Sequence, residues 1–492
     1  MPNSWIHFTQ SLYEWLAFLF IWLIALVVVV IVAMYIIDKF QTKHAIRRNY
    51  PVVGRFRYFF EHLGGFFRQY FFSMDREELP FNRAQRTWIY KAAKNINSTI
   101  AFGSSRDIKK LGYISFVNCP FPSLDKNVEV PKTITVGSRC ESPWSTSAFF
   151  GISAMSYGAI SKPAVQALSY GAAKAGIWLN TGEGGLSPYH LQGNADIIFQ
   201  IGTANYGVRD SDGNLDDEKL LKIAAYSQVK LFELKLSQGA KPGKGGILPG
   251  SKVSKEIAEI RGIPEGHDSI SPNRRVDVHD NDSLLEKIHH IRTVTGKPVG
   301  FKAVFGSPDW IEELCLLIKS KGDEFAPDFI TLDSCDGGSG AAPMTLMDDV
   351  GMSIKESLPV LVDTLIKHGL KDQIKVFASG KLVNPADVAW ALCVGADFCN
   401  SARGFMFSLG CIQALQCHQN TCPTGVTTHN KKLQRGLVAK DKSERVAHYA
   451  HNMMHAVGMI AHSCGVDDPR ELNKNHARIV IENGKSISIK DY

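Results

Sequence analysis

Three cysteines late in the chain, Cys411, Cys417 and Cys422, are spaced C-x5-C-x4-C, and the last is followed by Pro423. Thiolates beside a Cys-Pro step are the ligand chemistry of iron–sulfur centres. Three ligands leave a cubane one iron short, which favours a 3Fe-4S cluster unless another residue contributes. A structural zinc ion wants four closed ligands, and His418 or His429 would complete that set. Unligated buried thiols are the third reading of the same spacing. The other seven cysteines (119, 140, 315, 335, 393, 399 and 464) are scattered and read as structural.

A second kind of chemistry lies in six glycine-bearing segments, at 153–158, 181–185, 238–246, 336–340, 379–381 and 401–404. Glycine lets backbone N–H groups approach an anion with no Cβ in the way. Lys241, Lys244, Lys381 and Arg403 stand inside these segments. Something must hold such loops at one place. The elements that do so are short apolar runs at 149–155, 177–180, 197–201, 229–236, 298–304, 328–333, 375–379 and 397–401, which read as strands. Helical patterns at 163–175, 283–295, 308–321 and 384–394 lie between them, several with Pro just inside a Ser or Asn cap. Alternating strands and helices predict parallel pairing, and eight strands fit a (β/α)8 TIM-type barrel better than an open sheet. No strand runs into Gly-x-Gly-x-x-Gly, so the sequence does not support a Rossmann nucleotide domain. Barrel chemistry sits on loops after the strand C-termini, with phosphate bound after strands seven and eight, where 379–381 and 401–404 fall.

The chain has 492 residues and a net charge of +7, unevenly spread. Residues 1–110 carry 15 Lys and Arg against 7 Asp and Glu, which leaves 40 against 41 for the remainder. The basic balance therefore belongs to the N-terminal quarter, and nucleic acid is not an expected partner. Residues 16–37 hold no charge, and 22 apolar residues are long enough to span a hydrocarbon core. Trp15, Trp22 and Tyr35 supply aromatic groups, two of them near the ends. No Lys or Arg precedes the run, whereas Lys39, Lys43, Arg47, Arg48, Arg55 and Arg57 follow it. The positive-inside rule then predicts a single-pass inner-membrane protein with its N-terminus outside and its body cytoplasmic. Residues 51–72 mix arginines with phenylalanines and read as a helix pair at the lipid interface. The expected division is 1–48 anchor, 49–144 interfacial or docking region, 145–430 barrel with cysteine loop, and 431–492 C-terminal helix and extension.

Five motifs occur in one order: Ser-Ala-Met-Ser-Tyr-Gly-Ala-Ile-Ser at 153–161, Asn-Thr-Gly-Glu-Gly-Gly at 180–185, Lys-Leu-Ser-Gln-Gly-Ala-Lys-Pro-Gly-Lys-Gly-Gly at 235–246, Asp-Gly-Gly-Ser-Gly-Ala at 336–341, and Cys-His-Gln-Asn-Thr-Cys-Pro-Thr-Gly-Val at 417–426. Together they resemble the FMN-binding synthase domain of glutamate synthase, in a membrane-tethered subfamily. The resemblance implies FMN at the barrel mouth and a 3Fe-4S cluster on Cys411, Cys417 and Cys422. The implied reaction is reduction of 2-iminoglutarate, formed from 2-oxoglutarate and ammonia, to L-glutamate.

It further implies that Lys302 lies near flavin N1/O2, that Gly380, Arg403 and Gly404 meet the FMN phosphate, and that Met155, Ser156, Gln238, Asp336, Gly337, Gly338, Ser339 and Gly340 line the rest of the cofactor. Lys235, Lys241 and Arg261 match substrate-side cations, and Glu183 matches a glutamate that positions ammonia or relays protons. The chain departs from the family at Lys244, where Glu is usual, and at Ile247, where Gln is usual. Asn273, Arg274 and Arg275 replace the usual prolines and histidines, and Cys335 replaces a His. All of these fall on the substrate side, which leaves another 2-oxo or 2-imino acid, or a non-catalytic electron-transfer subunit, as alternatives. With Pro2 in second place and no N-terminal cysteine nucleophile, a glutaminase domain is not expected, nor is an FAD/NAD(P)H domain. Ammonia and electrons then come from solution or partners, the electron donor being ferredoxin, a reductase subunit or quinol.

Overall fold

Strands form where β-branched and aromatic residues cluster, and eight such runs close into a parallel barrel in the computed structural model, which describes residues 3–124 and 130–492. In chain order they are β1 (Phe150–Ile152), β2 (Leu179–Asn180), β3 (Ile197–Ile201), β4 (Val229–Lys235), β5 (Val299–Val304), β6 (Phe329–Asp333), β7 (Lys375–Ser379) and β8 (Phe398–Ser401). Each pairs with the next, and β8 returns to β1, so no edge is left open. The registers Lys302↔Lys235 and Lys302↔Thr331 set these side chains level across three strands. The eight expected strands are all present. The ends of β1 and β2 are trimmed, because their outer residues turn into the loops.

Helices return the chain between strands. They start where the sequence predicts: Ser161 caps α5 (Lys162–Ala175), Ser307 caps α9 (Pro308–Lys321) and Asn384 caps α11 (Pro385–Val394), each with Pro in its first turn. Between them run α6 (Asp217–Ala224), α7 (Lys255–Arg261), α8 (Asn281–Thr295) and α10 (Ile354–Lys367). After β8 come α12 (Arg403–Leu409) and the 25-residue α13 (Ala439–Ser463). Helix α13 lies against α5 so closely that a Cβ on Gly171 would stand 2.5 Å from Val446. Strand Ile114–Phe116 pairs antiparallel with Ala477–Glu482, so the stretch before the barrel and the C-terminal extension share one small sheet.

The chain divides into two compact units, Met1–Ala84 and Gln85–Tyr492. The first holds α1 (Asn3–Phe40), α2 (Ala45–Asn49) and α3 (Gly54–Phe67), and its last residues begin α4 (Arg83–Ala93). Trp5–Phe40 is long and apolar enough to cross a membrane, and its large side chains are exposed throughout. At its end Asp38 accepts hydrogen bonds from Arg47 (2.7 Å), Arg55 (2.7 Å) and the Val52 backbone N–H (3.0 Å). That clasp ties the end of α1 to α2 and to the start of α3. Residues 54–72 form one continuous arm in place of the expected helix pair: α3 runs into a π-helical turn, Arg68–Phe72, across which Phe67 and Phe71 stay in ring contact at 5.7 Å.

Candidate functional site

The C-terminal end of the barrel is built in polar layers. Within it, Glu233 of β4 accepts hydrogen bonds from Asn180 of β2 (2.9 Å), Gln200 of β3 (2.6 Å) and Thr331 of β6 (2.5 Å). A buried carboxylate is tolerable because its oxygens are so paired. This network draws four strands to one point and forms the floor of the site. Sequence reading missed it, although an acid inside the apolar run of β4 is its signal.

One step nearer the mouth stand Lys235 and Lys302, level across β4 and β5. Lys235 Nζ lies 2.8 Å from the Glu183 carboxylate and also donates to Gln238. Lys302 Nζ lies 3.1 Å from Asp333, which accepts in addition from the backbone N–H groups of Gly239 and Ser334. Burial works against the Lys302 charge, yet Asp333, Glu233 and Glu183 outweigh it and hold the ammonium above its usual range.

Lys241 is only 4% exposed, and burial together with the charge of Lys235 pushes it down to about 8. Arg261, at the end of α7, is buried under Tyr206, 5.2 Å from the ring centre, and donates to Ser269 Oγ (3.0 Å) and to the Tyr157 carbonyl (3.3 Å). Among the described residues its Nε has no hydrogen-bond partner. Burial pushes Glu183 up, but Lys235, Lys241 and Arg261 together hold it below the ordinary carboxylate range. So three buried cations surround one ionised carboxylate, a surplus of two positive charges.

The glycine loops meet above this pocket. Gly239 and Gly337 touch backbone to backbone, where a Cβ on either would come within 3 Å of the other's main chain. Gly380, at φ +140°, abuts Ser334, and Gly338 abuts the guanidinium of Arg403. Arg403 itself donates to the Asp336 carbonyl at 2.8 Å, so the loop after β6 is met by Arg403 of the β8 loop and by Gly380 of the β7 loop. Glycine-lined loops around a buried guanidinium fit an anionic phosphate group. Gly404 serves otherwise: a Cβ there would stand 2.2 Å from the Tyr449 hydroxyl, so it admits α13 to the barrel end. Met155 is buried and Ser156 half-buried on the loop after β1, while Ser339 bonds within its own loop to Ala341. The Gly340 Cα faces open space.

Cys411, Cys417 and Cys422 line one cavity with Met406, Ile412, Leu415, Gln416, Thr424 and Val426. Among the described residues no three His, Cys, Asp or Glu groups converge tightly enough for a single metal ion. His429 Nε2 lies 2.8 Å from the Gly158 carbonyl, so that ring is already engaged. Burial pushes Cys411 up to about 12 and raises Cys417. Burial also raises Cys422, but the hydroxyls of Thr424 and Thr427 outweigh it and favour the thiolate. Three sulfurs around one largely apolar cavity, with a hydroxyl pair beside one of them, fit a multi-iron cluster better than a zinc ion.

Of the positions that differ from the expected pattern, Lys244 and Ile247 are exposed at the rim. Arg275 is fully buried and donates to the Gly202 carbonyl, Asn205 and Asp277, tying the loop after β3 to residues 271–278. Cys335 backs the 238–240 loop through its carbonyl, which accepts from Ala240 N–H.

With this geometry in view, a conserved region described for glutamate synthase matches residues 115–467. The chain is 41% identical to the glutamate synthase large subunit-like protein YerD of Bacillus subtilis, over 95% of this chain and 96% of that one. It is 33% identical to the archaeal glutamate synthase (NADPH) of Methanocaldococcus jannaschii, covering 67% of this chain. An archaeal-type glutamate synthase (NADPH) of Dehalococcoides mccartyi is 32% identical over 58% of this chain. The matched segments span 61% and 54% of the length of these two archaeal-type proteins.

Proposed function

Because the chain belongs to the glutamate synthase family, we propose that it reduces 2-iminoglutarate, formed from 2-oxoglutarate and ammonia, to L-glutamate, using FMN and a 3Fe-4S cluster. Its coarser class, a glutamate-synthase-type oxidoreductase acting on CH–NH2 groups, follows from the family itself. The observation that carries the finer reading is the charge of the pocket. Lys235, Lys241 and Arg261 outnumber Glu183 by two, which suits a substrate with two carboxylates and no other neutralising group.

FMN, held at its phosphate by the loops around Gly338, Gly380 and Arg403, would supply the electron pair at its ring. The protein does the rest. Lys235, Lys241 and Arg261 fix both carboxylates and so orient the carbon that is reduced. Glu183, ionised in the free site, positions ammonia by accepting its N–H hydrogen bonds beside the 2-oxo carbon. Lys302, held charged by Asp333, keeps a positive charge at the end of β5 for an anionic reduced ring. Cys411, Cys417 and Cys422 would hold the cluster, the entry point for electrons from a separate donor, whether ferredoxin, a reductase subunit or quinol. The apolar α1 tethers the enzyme as a single-pass inner-membrane protein, and the cations that follow it keep the barrel on the cytoplasmic side.

A second reading, with the same cofactors and another 2-oxo or 2-imino acid, is favoured by exposed Lys244 and Ile247 at the rim. One experiment addresses both readings. Protein extracted gently in detergent is expected to carry flavin and iron, and rapid mixing of reduced enzyme with 2-oxoglutarate plus ammonia is expected to reoxidise the flavin. Reoxidation by other 2-oxo acids with ammonia, and not by 2-oxoglutarate, would select the second reading. A preparation without flavin would sink both.

A further inference from the structure

Lys252 is 2% exposed, and among the described residues no carboxylate pairs with it. Its ammonium donates to two backbone carbonyls, Ala159 at 3.1 Å and Cys417 at 3.1 Å. A buried cation without a counter-ion is unfavourable, as the loss of one partner from a buried ion pair is. Carbonyl dipoles offset part of that and leave the net charge in place. The groups within reach that can carry negative charge are the sulfurs of Cys417 and Cys422, and the nearby guanidinium of Arg261 only adds repulsion. The cost is therefore recovered only when the cysteine cavity holds something negative.

The same lysine sits at a junction. Ala159 belongs to the loop after β1 that carries Met155 and Ser156, and Cys417 belongs to the cysteine loop. Two further bonds join the same surroundings: Asn420 Nδ2 of the cysteine loop donates to the carbonyl of Ser251, the neighbour of Lys252, at 3.3 Å, and the His429 ring lies 2.8 Å from the Gly158 carbonyl of the β1 loop. Lys252 is thus fixed in place by both loops, and its charge stands directly behind Cys417, which lines the cysteine cavity.

We propose that Lys252 is the built-in counter-charge of an anionic iron–sulfur centre on Cys411, Cys417 and Cys422, retaining the cluster and raising its reduction potential. The proposal rests on the reading that these cysteines hold a cluster. A positive charge in a low-dielectric wall stabilises the more reduced, more negative cluster, so removing it lowers the potential. Among the described residues, the loops that would hold the flavin phosphate, around Gly338, Gly380 and Arg403, make no bond to Lys252, so the flavin potential should be affected much less.

The test uses the full-length holoenzyme in detergent, with Lys252→Met, Lys252→Gln and Lys252→Arg. Iron and sulfide per flavin are measured first, then the cluster midpoint by potentiometric EPR titration and the flavin midpoint by absorbance. Either neutral variant is expected to show a more negative cluster midpoint with an unmoved flavin midpoint, or to lose iron while keeping flavin. Lys252→Arg is expected to restore the parental behaviour. Parental iron content and parental cluster midpoint in Lys252→Gln would overturn the role of Lys252. Parental enzyme that carries flavin but no iron would overturn the cluster reading itself, before any variant is compared.

Discussion

At the scale of single residues the pocket makes a pH prediction through Lys241, which burial and the charge of Lys235 push down to about 8. If its ammonium receives a substrate carboxylate, only the protonated form binds well. The KM for the 2-oxo acid is then expected to rise about tenfold per pH unit above pH 8, with kcat changing less. The sign of the stability effect is opposite. The unfolded lysine keeps its proton up to 10.5, so the free fold gains stability as pH climbs from about 8 toward that value. Weaker binding in this window is therefore separable from unfolding by a thermal melt at each pH. Lys241→Arg should carry the rise in KM beyond the accessible range, and a KM that stays flat to pH 9.5 would contradict the assignment. Much of this pocket was legible in advance. Lys235, Lys241 and Glu183 stand in motifs with a recognisable order, Arg261 lies outside them at a position where the family carries an arginine, and the fold brings all four together. The Asn180, Gln200, Glu233 and Thr331 layer was not legible, because its members come from four strands and only barrel closure makes them neighbours.

At the scale of elements, β8, α12 and α13 meet at Gly404. This residue was read as part of a phosphate cradle, yet its lack of a side chain is used by Tyr449, whose hydroxyl occupies the place of a Cβ and donates to the Val383 carbonyl at 3.0 Å. The ring is packed against Phe150 and Phe405 and has little room to retreat. Gly404→Ala is expected to push α13 outward and to destabilise the barrel by about 1–3 kcal/mol, as overpacking does. Combining it with Tyr449→Phe removes the colliding oxygen, so the double variant should lose less than the two single losses added together. Thermal unfolding of the three proteins checks this, and strictly additive losses would mean that the contact is not the cause. Strands and helix starts were readable here, because alternation and Ser/Asn-Pro caps are local signals. Which helix would lie on which was not, since α13 and α5 are separated by more than 250 residues and their fit depends on two glycines, Gly171 and Gly404.

At the scale of the whole molecule, the apolar stretch and the cations that follow it both fall within the first structural unit, Met1–Ala84. The first unit carries the apolar α1 and its basic flank, whereas the residues of the barrel are nearly neutral in sum. Asp38 shows how the two features are joined within that unit. One carboxylate at the end of α1 neutralises part of the charge of Arg47 and Arg55 and leaves Lys39, Lys43, Arg48 and Arg57 as the surplus. That surplus lies on one side of the apolar stretch only, which is the asymmetry that orients single spans. Alkaline carbonate is expected to leave the protein in the membrane pellet and detergent to release it. A single cysteine at position 7 (His7→Cys) should react with a membrane-impermeant maleimide in spheroplasts, after the native thiols have been shown to stay unlabelled under the same conditions. Moving the surplus makes the argument causal. Replacing Lys39, Lys43, Arg48 and Arg57 by Gln while placing four lysines ahead of Trp5 should abolish the outside labelling, whereas labelling that persists unchanged would show that the flanking charges do not set the orientation.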